Sequence, residues 1–260
     1  MIFSRLFASG WRGLVGWAIG IAAVLFLYLP LYPSLQTPEL AKMIEALPPE
    51  MIQAFGYDQI SSGPGYAQAT FFGLLGFVLA VIACITWGTS FIAGAEESGD
   101  LELTLAHAVG RKQYAWQSAL ALVARMAVLA VVVFVLLLGL NEPSELELST
   151  RNMLAVVVAW AGLGLLAGAA SLAVGALTGR RSWAIGAGTA VAVVGYICDA
   201  IASMNADFDW LAKLSPFYWA YGQTPLVNGF DWGGLALLWG SVAALVVVAV
   251  VALDRRDITG

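Results

Sequence analysis

The apolar positions of this chain fall into six long runs, roughly 14–32, 67–92, 115–140, 154–177, 183–204 and 233–253. Each is too long for a buried core helix of ordinary length. Each is spanning length instead, since a hydrocarbon core of ~30 Å takes about 20 apolar residues per helix. The pattern predicts an all-α membrane protein, a single transmembrane domain over residues 1–260 with six transmembrane helices. Even parity puts both ends of the chain on one side.

The polar stretches between the runs have patterns of their own. In 1–13, Ile2, Phe3, Leu6, Phe7 and Trp11 interleave with Ser4, Arg5 and Arg12, the signature of a basic amphipathic helix lying in the membrane interface. The run behind it is full spanning length and ends in Leu29-Pro30-Leu31-Tyr32-Pro33, with no small-residue cleavage site. It reads as a retained first helix, not a cleaved signal. In 34–66, Thr37 is suited to cap a helix with Pro38 at its first position. Leu40, Met43, Ile44 and Leu47 then make one apolar stripe. Pro48-Pro49 stops it, and a second short helix with Met51, Ile52 and Phe55 would end at Gly56.

Segment 205–232 is rich in aromatics: Trp210, Phe217, Tyr218, Trp219, Tyr221, Phe230 and Trp232. Ser215-Pro216 and Thr224-Pro225 each offer a cap followed by proline, and Gly222 and Gly229 each follow as a stop. Two short helices dipping into the membrane boundary before the last span satisfy these signals, as does an ordinary interfacial aromatic belt.

Segment 94–113 is the longest polar interruption on the side of the termini. Glu96, Glu97, Asp100 and Glu102 cluster toward its start and Arg111 and Lys112 follow its end, the charge order that a helix macrodipole favours. Gly99 permits a break from the preceding span and Gly110 permits termination. Leu101, Leu105 and Ala108 fall on one side at i, i+4 and i+7. A helix here either presses an apolar ridge into a partner's groove or packs on its own bundle.

Composition agrees with the membrane reading: 60% of residues are hydrophobic and 11% charged, with mean hydropathy +0.84, against ~25% charged in a soluble domain. Of twelve Lys and Arg, eight (Arg5, Arg12, Arg111, Lys112, Arg180, Arg181, Arg255 and Arg256) share the face of the termini. Lys42, Arg151 and Lys213 lie opposite, and Arg125 falls within a span. This is the positive-inside pattern, which places both termini in the cytoplasm. The other face is acidic, with Glu39, Glu45, Glu50, Asp58, Glu142, Glu145, Glu147, Asp207, Asp209 and Asp231. A net charge of -5 argues against nucleic acid as a partner.

Candidate chemistry is sparse. The single histidine, His107, lies in the 94–113 loop, and the chain contains no HExxH, GxSxG or GxxxxGK[ST] sequence. The chain therefore shows no catalytic motif and no phosphate cradle of its own. Cys84 and Cys198 lie inside spans without metal or redox spacing and read as packing residues. Gly16 and Gly20, Gly164 and Gly168, and Gly175 and Gly179 are spaced for close helix approach. Arg125 and Asp199 are the intramembrane ionisable residues, costly there and candidates for function. Their depths along the third and fifth spans, ~15 and ~24 Å, argue against a direct salt bridge.

Glu96-Glu97-Ser98-Gly99-Asp100-Leu101-Glu102-Leu103 followed by Ala108-Val109-Gly110-Arg111-Lys112, Leu214-Ser215-Pro216-Phe217 before the last span, and the basic end Arg255-Arg256-Asp257 together carry a resemblance. The chain resembles the ABC-2 type permeases, the membrane subunits of a class of ATP-binding-cassette exporters. Asp100 stands where that family commonly has Thr, His107-Ala108 where it has a small residue and Pro, and Gly110 where it has Ser.

The resemblance implies two membrane subunits, identical or related, assembled with two ATPase subunits that bind ATP and Mg, so that this chain carries no cofactor itself. It implies ATP-driven export of a hydrophobic or amphipathic solute such as a drug, antibiotic or lipid across a plasma (inner) membrane. The loop would be a coupling helix, with Glu96, Glu97, Gly99, Asp100, Leu101, Leu105, Arg111 and Lys112 contacting the ATPase. Phe72, Thr86, Tyr196 and Asp199 would line the path, with Arg125 a further candidate, and Phe217, Tyr218 and Trp219 would belong to an outer gate. A membrane partner that relays ATPase motion without transport is the alternative.

Overall fold

The structure, a computed structural model, describes residues 2–36, 62–106, 110–204 and 206–256. It is 88% helical and, among the described residues, has no strands. A short helix α1 (Ile2–Ser9) precedes the first span, α2 (Trp11–Leu35), which tightens to a 3₁₀ turn at Leu29–Leu31, where Pro30 sits. The second span, α3 (Gly63–Glu97), leads through a break at Gly99 into the small helix α4 (Asp100–Leu105). Then come the spans α5 (Arg111–Asn141), α6 (Thr150–Thr178) and α7 (Arg181–Met204). Three short helices, α8 (Asp209–Ala212), α9 (Pro216–Tyr221) and α10 (Pro225–Asn228), precede the last span, α11 (Trp232–Arg255).

All six apolar runs are helices, and most extend past the limits that hydropathy marks, because a helix continues into polar residues at the membrane surface. The helices expected at Leu40–Leu47 and Met51–Phe55 lie outside the described residues.

At the centre is α6: 89% of its apolar stretch is buried, against 17% for α7 and 22% for α2. It packs against α3, α5, α7 and α11, and its sequence explains how. Ala and Gly dominate its surface, so neighbours approach to backbone contact, the main source of helix association where lipid competes for apolar surface. A Cβ on Gly88 of α3 would lie 2.2 Å from the carbonyl of Gly168, and one on Gly168 2.9 Å from Cys84 Cβ. The Gly164/Gly168 pair is thus a crossing point. Gly16 and Gly20 are not: nothing lies within 4 Å of where their Cβ atoms would stand.

The second span is not uniformly α-helical. Gln68–Leu75 and Ser90–Gly94 are π-helical and flank a regular stretch, Gly76–Thr89. Wide turns loosen the backbone ladder, and side chains of neighbouring helices take up carbonyls beside them. Trp160 Nε1 donates to the Gly76 carbonyl at 2.7 Å, and the Tyr114 hydroxyl donates to the Phe91 carbonyl at 2.8 Å.

Short helix α1 packs along α5. The backbone N–H of Phe3 donates to Gln117 Oε1 at 2.8 Å, and the Arg125 guanidinium donates to the carbonyls of Leu6 and Phe7, the latter at 3.4 Å. A helical side chain leans toward its own N-terminus. Arg125 therefore reaches back along α5 to the last turn of α1, whose carbonyls and negative dipole end receive it. Its guanidinium also lies 5.6 Å from the ring centre of Trp87 and 4.9 Å from that of Phe91. A Cβ on Gly10 would fall 2.3 Å from this guanidinium, so a larger residue at the link between α1 and α2 would have to displace the Arg125 side chain.

Candidate functional site

Between α3 and α5 the chain turns at Ser98-Gly99. Gly99 has φ +78°, the left-handed region that glycine enters without strain, and it caps α4. Inside the turn the Ser98 hydroxyl donates to Asp100 Oδ2 at 3.0 Å, and Thr104 Oγ1 donates to the Asp100 carbonyl at 2.7 Å.

Of the two arrangements open to the apolar face of α4, Leu101 and Leu105 follow packing on the chain's own bundle. Leu101 is fully buried in the chain's own core and Leu105 is partly buried against it, whereas Leu103 stands 65% exposed between the exposed Glu102 and the partly buried Thr104. The helix ends at Leu105, one turn before Ala108, which lies outside the described residues. The i, i+4 spacing identified the apolar side but could not say which body it packs on. Gly110 does not stop this helix; with φ -68° and ψ 140° it is the extended cap that starts α5.

The two carboxylates before the break both bond to the chain's own bundle end, Glu96 partly buried and Glu97 exposed. Glu96 pairs with Arg256, whose guanidinium also donates to the carbonyls of Gly175 at 3.3 Å and Ala176 at 3.0 Å, in the last turn of α6. Glu97 Oε1 accepts from the backbone N–H of Arg181, the first residue of α7, at 2.9 Å. Arg111 donates to the Arg256 carbonyl at 2.8 Å, and Lys112 pairs with Asp254 at 3.3 Å. Arg111 and Lys112 thus turn to the end of α11 and not to the end of α4. Gly179, with φ +67°, closes α6, and a Cβ there would lie 2.5 Å from Glu96 Oε1.

The residues expected along a path divide. Phe72 is fully buried, edge-on to Phe71 at 4.9 Å, and belongs to the core. Thr86 is exposed, its hydroxyl returned to the Ile82 carbonyl at 2.7 Å. Arg125 serves the last turn of α1. Asp199 is half-buried on α7, and it does not meet Arg125. Tyr196 is 39% exposed and joins an aromatic cluster: it lies 6.2 Å from Phe77 and 5.2 Å from Phe217, which in turn lies 5.0 Å from Tyr221. The cluster borders a crevice between α3, α6, α7 and α9 lined by Phe77, Leu163, Val191, Gly195, Pro216 and Phe217, with no charged side chain.

The placement of α9 is set by Ser215, which is more than a cap. Ser215 Oγ accepts from the N–H groups of Phe217 and Tyr218 at 3.2 Å and also donates to the Gly195 carbonyl of α7 at 2.7 Å. Thr224 does not cap α10: at φ 43° its hydroxyl turns away and accepts from Asn228 Nδ2 at 2.9 Å. Tyr218 is exposed, and Trp219 Nε1 donates to the Lys213 carbonyl at 2.8 Å. Asp231 caps α11 through the N–H groups of Gly233 and Gly234, at 3.0 and 3.1 Å.

No curated protein matches the chain significantly. A family model described as ABC-2 family transporter protein matches residues 2–258, essentially its whole length. With six spans, the fourth buried against four of the others, and a capped turn between the second and third, the chain belongs to the ABC-2 transporter family, as a multi-pass membrane permease subunit, which implies an ATPase partner.

Proposed function

We propose that this permease exports a hydrophobic or amphipathic solute, a drug, antibiotic or lipid, with the free energy of ATP bound and hydrolysed with Mg in two partner ATPase subunits. Two permease subunits, identical or related, form the pathway in a plasma (inner) membrane with both termini cytoplasmic. The observation that carries the reading is α4: a short capped helix held on the bundle end with Leu103 exposed among acidic residues. An apolar knob ringed by charge suits a groove on a soluble partner. ATP binding then moves the turn and the spans tied to it, and hydrolysis resets them.

The solute class rests on the resemblance to ABC-2 exporters and is compatible with the uncharged aromatic wall of Phe77, Tyr196 and Phe217, beside a crevice with room for about one water. Such a lining offers apolar area and ring faces without the cost of desolvating a charge.

The test is uptake into sealed inside-out vesicles that hold the permease and its ATPase, with a rhodamine dye and a fluorescently labelled phospholipid as probes. ATP-dependent accumulation is expected, and Leu103→Asp abolishes it together with ATPase retention. ATP turnover that moves neither probe, nor other amphipaths, supports the relay reading over the exporter.

A further inference from the structure

Glu96 and Glu97 are the most conspicuous charges of the turn, and both are engaged within the chain, Glu96 partly buried and Glu97 on the exposed surface. Glu96 is held by Arg256 at the end of α11, and that guanidinium at the same time grips the last carbonyls of α6. Glu97 holds the first N–H of α7. The backbone of Arg256 is in turn held by Arg111 at the start of α5. One arginine therefore joins the turn to the central helix and to the last span, and is itself tied to the third.

We propose that Arg256 is the positioning residue that conveys motion of the 95–105 turn to the spans, and that Glu96 is its partner on the turn and not a contact of the ATPase. The proposal rests on reading α4 as the ATPase contact. Its physical basis is a division of labour along the turn. Leu103 and Glu102 are exposed and available to a docking protein, whereas the Glu96 side chain is 21% exposed and that of Arg256 18%.

A partly buried, charge-assisted bond fixes direction as well as distance, which the non-directional apolar contacts between neighbouring spans do not. A displacement of the turn is thus delivered first to α6, the helix that touches α3, α5, α7 and α11. Gly179 is part of the device: its missing Cβ leaves the room that the Glu96 carboxylate occupies, and its left-handed backbone ends α6 beneath that carboxylate. Arginine suits the junction because its fork can serve a carboxylate and two carbonyls together.

The experiment uses the permease–ATPase complex in proteoliposomes. The reporter is the maleimide labelling rate at Met204→Cys, an 86% exposed position at the far end of α7, in a background with Cys198→Ser; Cys84 is buried. Glu96→Ala and Arg256→Ala are expected to keep the ATPase at wild-type stoichiometry and to lose the ATP-induced change in labelling rate. The double variant is no worse than either single one, as for two members of one unit. Arg256→Lys restores part of the change, and this variant with Glu96→Ala keeps the test decisive if Arg256→Ala does not fold.

Release of the ATPase by Glu96→Ala, or a full ATP response in Glu96→Ala and Arg256→Lys, overturns the proposal and leaves the docking reading standing. A wild-type chain that retains no ATPase overturns both.

Discussion

A guanidinium well along the third span has to place its charge somewhere, and Arg125 places it on the carbonyls of α1 and over two aromatic rings. Replacing it with Met keeps the volume of the stem and removes the charged donor from those carbonyls, a loss of about 1–3 kcal/mol. The expected outcome for Arg125→Met is release of the N-terminal helix, seen as faster hydrogen exchange over residues 2–10, with the exchange of α6 unchanged. An Arg125 on the solute path would instead leave that exchange alone. The same logic separates other single positions. Phe72, expected on the path, is fully buried, while Tyr196 on the neighbouring wall is open to one side and stacked on the other.

At the level of elements, α9 and α10 look alike in sequence, each a Ser or Thr before a proline with a glycine behind. They differ in how they are held. Ser215 both caps α9 and bonds to α7, whereas the left-handed Thr224 caps nothing. Ser215→Ala is therefore expected to cost about 1 kcal/mol or more of local stability, and Thr224→Ala much less. Hydrogen exchange over 216–221 against 225–228 measures the difference.

Length and apolar character made six spans legible, the cap at Ser215 was legible from Ser-Pro, and the break at Gly99 from glycine beside a charged run. The direction in which each helix faces was not. Leu101 and Leu103 are both leucines two residues apart, and only the packing of α4 on its own bundle decides that the first is core and the second surface. The pairings of Glu96 with Arg256 and Glu97 with Arg181 join positions 160 and 84 residues apart. No local pattern records them.

Across the whole molecule, the uneven distribution of Lys and Arg sets the orientation expected in a membrane, eight of twelve on the face of the termini. Alkaline phosphatase joined behind Gly260 is expected to be inactive, and the same enzyme inserted in the 142–149 loop active; the reverse pattern would reject cytoplasmic termini. The central position of α6 means that α3, α5, α7 and α11 are arranged around one small-residue helix, and that the least buried spans, α2 and α7, keep faces open to lipid or to another subunit. Within this arrangement the two wide-turned stretches of α3 have a meaning for descent as well as for shape. A π turn holds one residue more than the α turn it replaces. Chain length and facing direction are therefore uncoupled at two points in this span: a relative that has lost one residue within 68–75 or 90–94 can still show the same faces to its neighbours, whereas a loss within 76–89 would turn the rest of the helix away from α6.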